Sequence, residues 1–246
     1  MILAVALLDV VAFFSLNYLA NHVLGLAESR LAYWAVVLLG PGMLLPAALT
    51  ERIAASGVLE RRRGSGRSEA TKIAGALAAG ALMAAFPIGR LVLAAPAHAL
   101  RLSVWLFLTS LAEVGVFLGI VYNLVCALLV PTFARSPAVA LAAVIASASF
   151  GLYHLTYAPP WNTLPMAVTL SLVWLGVTAV YLLTGSLWAA AVFNTAMAII
   201  GFVLNDVTVL DREPLALGVL LDGVSLAAII VTKRVLPRRL RPRPRS

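Results

Sequence analysis

The sequence predicts an all-α protein, a polytopic transmembrane helical bundle of about eight spans, on the evidence of its composition and its apolar runs. Of its 246 residues, 62% are hydrophobic and only 11% are charged, and the mean hydropathy is +1.00. Soluble domains are roughly 45 to 50% apolar and about a quarter charged. Because lipid offers no partners to free backbone N–H and C=O groups, an apolar run that crosses it is expected to be helical.

Eight apolar runs approach the roughly 20 residues that a spanning helix needs. Their approximate limits are Ile2 to Leu26, Leu31 to Leu49, Ile73 to Leu93, Leu102 to Val130, Pro137 to Tyr157, Pro165 to Leu183, Ser186 to Leu204 and Leu215 to Val231. The first run has neither a basic segment before it nor a small-residue cleavage site. We therefore expect it to be a span and not a removed signal peptide.

Basic residues are concentrated after two of these runs, which predicts the topology. Arg52, Arg61, Arg62, Arg63, Arg67 and Lys72 follow the second run, and Lys233, Arg234, Arg238, Arg239, Arg241, Arg243 and Arg245 follow the eighth. The positive-inside rule makes both clusters cytoplasmic, so both termini are expected in the cytoplasm and the acidic loop of Asp206, Asp211 and Glu213 outside. The net charge of +8 is then explained by topology, and no nucleic acid partner is expected. We expect an integral protein of a bacterial or archaeal plasma membrane, with the lipid bilayer as its partner.

The same pattern predicts four regions. Residues 1–50 hold two leader transmembrane helices, 51–72 a basic cytoplasmic loop, 73–232 a six-helix membrane core, and 233–246 a basic cytoplasmic tail. The loop mixes arginine with glycine and serine, so we expect it to lack stable structure and to act as a hinge between the leader pair and the core.

Glu113 and His154 are the ionisable residues inside these runs that most strongly suggest a site. A charge at the bilayer centre costs at least about 2.5 to 3.5 kcal/mol on insertion scales, so an intramembrane ionisable group is a functional-site hypothesis by default. Glu113 has no Lys or Arg within two turns of helix, and it must be protonated, meet a partner on another helix, or face a wet cavity. Asp9 and Asp222 lie about two turns of helix from the ends of their runs, where each could reach interfacial water, and we expect structural roles for both.

On sequence grounds alone, His154 and two further residues keep open interpretations. His154 lies four residues after Phe150, so the two share a helix face, but a lone membrane histidine also serves as an interhelical hydrogen-bond donor. The Asn194 amide can donate to a developing oxyanion or bridge two helices. Cys126 is the only cysteine and lies in an apolar run, where a packing thiol is the simpler interpretation.

Three segments within 102–201 together resemble the CAAX protease and bacteriocin-processing (CPBP) family of intramembrane peptidases. That family has Glu-Glu followed by Phe-Arg-Gly in one helix, Phe-x-x-x-His in the next, and His-x-x-x-Asn or Asp after Gly-Ser-Leu-Trp. Here Glu113 matches the leading glutamate, and Phe150 to His154 complete the second motif. Gly185 to Trp188 match the start of the third.

The chain departs from the family pattern at four positions. Val114 replaces the second glutamate and Leu118 the arginine, while Asn194 replaces the third-motif histidine and Ala198 the final Asn or Asp. A Glu and an Arg that neutralise each other could be lost together and leave an apolar pair in their place.

The resemblance implies an intramembrane endopeptidase that cuts a membrane-associated protein or peptide. In this interpretation Glu113 and His154 activate a water, Asn194 donates to the oxyanion, and Phe150 and Trp188 line the site. One His, one Glu and one Asn are few ligands for a tight metal site, so no metal or other cofactor is expected. The alternatives are a catalytically silent relative that binds or chaperones a membrane partner, a proton-coupled transporter, and a transpeptidase that uses Cys126 with His154.

Overall fold

The computed structural model describes residues 2–24, 29–55, 68–204 and 215–239. The described residues form an all-α bundle with no strands. In chain order the helices are α1, Ile2–His22; α2, which joins Arg30–Tyr33, the π-helical Trp34–Leu44 and Leu45–Ala55; α3, Glu69–Ala94; α4, which joins Pro96–Val114, the π-helical Gly115–Tyr122 and Asn123–Leu129; α5, Arg135–Tyr153, followed by a 3-10 turn at His154–Thr156; α6, Leu164–Thr184; α7, Leu187–Leu204; and α8, Leu215–Arg239.

The predicted fold class is confirmed, because each predicted apolar run overlaps one of these helices over most of its length. Within the described ranges, seven helical segments are long and apolar enough to cross a membrane, and the longest, in α4, has 34 residues. The third predicted run lies in α3, a helix of 26 residues. The chain is therefore an integral membrane protein built as a polytopic helical bundle.

The ends of the site helices are set by local sequence. α6 begins where the Thr163 side chain accepts a hydrogen bond from the Met166 N–H, and it ends at Gly185, whose φ of 65° is the left-handed conformation that glycine adopts at least cost. Pro96 begins α4 at a position where a missing N–H costs nothing. These residues therefore set where α4 and α6 begin and where α6 ends.

Contacts at the two ends of the bundle show that successive helices cross it in alternating directions. At one end, which we call the His22 end, the His22 ring donates to the Tyr157 carbonyl at 3.1 Å, joining α1 to the segment after α5. At the other, the Thr50 end, Thr50 donates to the Gly119 carbonyl at 3.1 Å, and Ser186 at the start of α7 hydrogen-bonds Glu69 at the start of α3. The alternating helix directions agree with the predicted path of the chain. Which side of the membrane each end of the bundle faces remains a prediction.

The first two helices are packed into the same core as the other six. Phe13 of α1 and Val37 of α2 are fully buried beside Phe117 of α4, and the Trp34 indole donates to Ser225 of α8 at 2.9 Å. In the structure the leader pair is thus continuous with the rest of the bundle.

One sequence expectation outside the site, the surroundings of Asp9, is contradicted by the structure. Asp9 is buried at 2% exposure, and neither carboxylate oxygen has a hydrogen-bond partner among the described residues, so the expectation that it reaches interfacial water is wrong. The reason is that α1 lies against α2 and the π-helical part of α4 on this face. Most of the predicted basic loop (56–67), the acidic loop (205–214) and the last residues of the tail (240–246) lie outside the described residues.

Candidate active site

A cavity of about 560 Å³ lies inside the bundle between α2, α4, α6, α7 and the turn after α5. Its polar floor is formed by Ser110, Glu113, His154 and Asn194. Apolar side chains form most of its walls: Trp34, Leu38, Trp105, Leu106, Phe150, Leu170, Met197 and Phe202. The cavity therefore joins a compact polar group to a mainly apolar channel, the arrangement typical of a small-ligand or peptide site.

The cavity extends from this floor to the His22 end. On α4 its lining runs from Glu113 to Trp105, and on α7 from Asn194 to Phe202. Each interval is eight residues, which corresponds to about 12 Å along a helix axis. At the far end the lining includes Asn21, Arg30 and the exposed Pro159.

Glu113 is the centre of the polar floor. It is only 5% exposed, yet both carboxylate oxygens have partners on other helices or turns. The Asn194 amide donates to Oε2 at 3.0 Å, and the Tyr157 hydroxyl donates to Oε1 at 3.3 Å. A carboxyl group deep in a membrane bundle thus accepts hydrogen bonds from two neutral donors, an amide and a phenol.

His154 faces the same carboxylate, because the 3-10 turn that follows α5 turns its ring toward α4. Its Nδ1–H donates to the Phe150 carbonyl at 2.9 Å, which leaves Nε2 as the nitrogen with a free lone pair. Nε2 lies 4.0 Å from Glu113 Oε1, too far for a direct hydrogen bond. A water with bonds of about 2.8 Å to both atoms would make an angle of about 90° between them. The separation therefore leaves room for one shared water.

Asn194 is brought to the site, and it is already engaged there. It is 4% exposed, and its amide nitrogen donates to Glu113 at 3.0 Å and to Ser110 Oγ at 3.2 Å. An amide has two N–H groups, so both are in use in this arrangement. Asn194 thus orients the carboxylate, and it would have to leave Glu113 to act as the predicted oxyanion donor.

Tyr157 is a site residue that sequence reasoning did not identify. It lies three residues after His154, and the 3-10 turn places its ring parallel to the imidazole, with centroids 5.0 Å apart. Its hydroxyl lies 3.2 Å from that of Tyr153, and both tyrosines belong to a buried polar group with Tyr33 and Asn17. A polar or aromatic residue one short turn after the motif histidine is the signal that could have identified it.

Close helix contacts hold the two ionisable residues in place. A Cβ at Gly115, two residues after Glu113, would lie 2.8 Å from the Gly42 carbonyl of α2. A Cβ at Gly151, three residues before His154, would lie 2.2 Å from the Ala167 carbonyl of α6. Only glycine permits these approaches, so the depths of Glu113 and His154 are fixed by backbone contact.

The other sequence-predicted residues divide into two sets. Phe150 lines the cavity and stacks on Trp174 with centroids 3.6 Å apart, and Ala198 also lines it. Trp188 is partly buried against the core and is not brought to the cavity. Val114 and Leu118 are buried at 1% and 0% exposure, and neither lines the cavity.

Two other groups bear on the chemistry of this site: the Cys126 thiol and a metal ion. Cys126 is buried toward the Thr50 end of α4 and does not line the cavity, which disfavours its pairing with His154. In the part of the chain that the structure describes, no three His, Cys, Asp or Glu side chains form a group that could hold a metal ion. What the site offers chemically is a carboxylate and an imidazole that share one water-sized gap.

Comparisons with protein-family models, with curated proteins and with solved structures found no match to this chain.

Proposed function

We propose that the protein is an intramembrane endopeptidase of the CPBP type, which hydrolyses a peptide bond in a membrane-associated protein or peptide. The observation that carries the proposal is the convergence of Glu113 and His154, with 4.0 Å between Oε1 and Nε2, at the floor of a cavity inside a membrane bundle. The two residues lie on different helices, 41 positions apart in sequence (154 minus 113), and their separation suits one activated water.

The proposed reaction begins with a water held between these two groups. Glu113 takes a proton from the water as its oxygen bonds to the peptide carbonyl carbon, and the carbonyl electron pair moves to oxygen to form an oxyanion. When the C=O bond re-forms, the C–N bond breaks and the leaving nitrogen receives the proton from Glu113, directly or through His154 Nε2. The products are a carboxylic acid and an amine, so atoms and charge balance.

Burial supports the assignment of Glu113 as the base. A carboxylate in a low-dielectric site is a stronger base than one in water, and a proton transfer of this kind contributes roughly 10² to 10⁴ in rate. The Asn194 amide fixes one oxygen of Glu113 at 3.0 Å, which leaves Oε1 directed toward His154. In this proposal Asn194 is a positioning residue in the resting site.

The predicted topology also assigns the side from which substrate enters. If the Thr50 end faces the cytoplasm, as its basic flanks predict, the cavity extends to the opposite membrane face. A substrate segment would then reach Glu113 from the extracytoplasmic side, along about 12 Å of mainly apolar wall.

The test is a cleavage assay with the protein in proteoliposomes and a library of quenched-fluorescent apolar peptides, with products identified by mass spectrometry. Glu113→Gln and His154→Ala should each lower the rate by at least about 10². Asp9→Asn and His98→Ala are the matched controls, because they change another acid and another histidine that do not line the cavity. Unchanged product formation in both site variants would refute the assignment.

A second candidate is a catalytically silent relative that binds a membrane partner. It is favoured by one observation: Ala198 lines the cavity where the family has Asn or Asp, and a methyl group donates no hydrogen bond. Ala198→Asn separates the two proposals, because a peptidase that lacks one donor should gain rate, by up to roughly 10². A silent relative would show no cleavage before or after this change.

A further inference from the structure

We infer that the Tyr157 hydroxyl is the oxyanion donor of this site and is therefore a catalytic residue. The inference rests on the proposed peptidase function and adds a residue that none of the family motifs contains. It answers a chemical need, because an oxyanion forming in a buried cavity requires a donor directed at it.

The usual candidates for this task are occupied or missing. Both amide hydrogens of Asn194 are used by Glu113 and Ser110. Ala198 has no donor. His154 Nδ1–H is held by the Phe150 carbonyl, so the imidazole presents only its lone pair to the cavity. Two cavity-lining hydroxyl groups lie near Glu113. That of Ser110 lies on the Asn194 side of the site, where it accepts from the amide, whereas that of Tyr157 lies 3.3 Å from Glu113 Oε1, the oxygen that faces His154.

The hydrogen bond that Tyr157 makes in the resting site is easily exchanged. Its hydroxyl is 3.3 Å from Glu113 Oε1, whereas O–H···O bonds have a usual length of about 2.7 to 2.8 Å. Since Tyr157 donates to Glu113, the hydroxyl of Tyr153 must donate to Tyr157 across their 3.2 Å separation. That second bond persists when the Tyr157 O–H rotates, so the phenol stays anchored.

The direction of charge movement supplies the reason for the exchange. As Glu113 takes the proton from water it loses its negative charge, and at the same moment the carbonyl oxygen of the substrate gains one. The Tyr157 hydrogen, which lies beside Oε1, then has a better acceptor in the oxyanion. No proton leaves the phenol, and the hydrogen bond alone changes partner.

Tyr157 is also held from three other directions. Its ring stacks on His154, its backbone N–H donates to the His154 carbonyl at 3.1 Å, and its own carbonyl accepts from His22 at 3.1 Å. A donor fixed in this way needs little reorganisation in the transition state, which is what makes such a donor effective.

The experiment compares Tyr157→Phe with the parent in the proteoliposome assay. We expect kcat to fall roughly 10² to 10³-fold with KM changed less than about threefold, because the hydroxyl acts in the transition state and the ring remains to pack. Tyr181→Phe is the matched control, since it removes a hydroxyl bonded to Asn123, outside the cavity, and should leave both constants unchanged.

The outcomes are distinguishable. A parent that cleaves, loses activity in Glu113→Gln and keeps it in Tyr157→Phe overturns this inference and leaves the peptidase proposal standing. A parent with no cleavage overturns both. A fall in Tyr157→Phe that appears mainly in KM would assign the hydroxyl to substrate binding and overturn its role at the oxyanion.

Discussion

Substitution of Gly151 by alanine should destabilise the bundle and impair the site together. A Cβ at this position would lie 2.0 Å from Ser171 Oγ and 2.2 Å from the Ala167 carbonyl oxygen. The serine side chain can rotate away, but the carbonyl is part of the α6 backbone. Moving it from 2.2 Å to an ordinary contact of 3.4 Å requires α5 and α6 to separate by about 1.2 Å.

The magnitude follows from this separation. Overpacking costs roughly 1 to 3 kcal/mol, and an immovable backbone atom favours the upper value. For a chain of this size, about 3 kcal/mol corresponds to a Tm lowered by roughly 6 to 12 °C. His154 lies three residues further on, and a displacement of about 1 Å at a catalytic group can cost roughly 10² in rate.

The assay uses the single cysteine of the chain. Cys126 is 2% exposed, so a maleimide dye that fluoresces on reaction with a thiol reports its release on heating in detergent. Gly75→Ala is the matched control, because no atom lies within 4 Å of a Cβ there. Alanine gains about 0.5 to 1 kcal/mol over glycine in a helix, so the control should raise Tm slightly. Equal Tm values for the two variants would refute the packing argument.

Three further predictions concern burial and topology. Asn194→Leu leaves a buried carboxylate oxygen without its donor and should lower stability by roughly 2 to 3 kcal/mol in the same thermal assay, and an unchanged Tm would contradict this. Val114→Glu should lower the free energy of unfolding by about 3 kcal/mol. The double variant with Leu118→Arg should lose less stability than the sum of the losses in the two single variants, and a loss equal to that sum would exclude coupling between the two positions. In a background without the natural cysteine, Ser29→Cys should react with an impermeant maleimide from outside whole cells and Ser68→Cys should not. The reverse pattern would invert the topology and move the cavity to the cytoplasmic face.

The fold was largely predictable from the sequence because it depends on length and hydropathy. Each span must satisfy its own backbone and be apolar on the lipid side, and both demands are visible in single runs of residues. The burial of Asp9 was missed because depth within a bundle depends on which neighbours cover a helix face. The position of a residue along its span does not show which neighbouring helices cover it.

The site was partly predictable for a related reason. Glu113 and His154 are conspicuous because charge is rare in these runs, but their 4.0 Å separation depends on the close approaches at Gly115 and Gly151. Asn194 was expected to donate to an oxyanion, but in the structure its amide donates to Glu113. Tyr157 was treated only as the end of a span, because a 3-10 turn that redirects a side chain leaves little trace in periodicity.

The hydrogen bond from the His154 ring to the Phe150 carbonyl depends on the backbone at a position four residues earlier in the chain. The acceptor belongs to the backbone, so every amino acid at position 150 supplies it, and no side-chain substitution there removes the acceptor itself. What the phenyl ring supplies is its stack against Trp174, which holds this turn of α5 in place. The tautomer of the histidine is therefore determined by helical geometry, whereas the position of the ring is determined by aromatic packing, and the two can be altered separately.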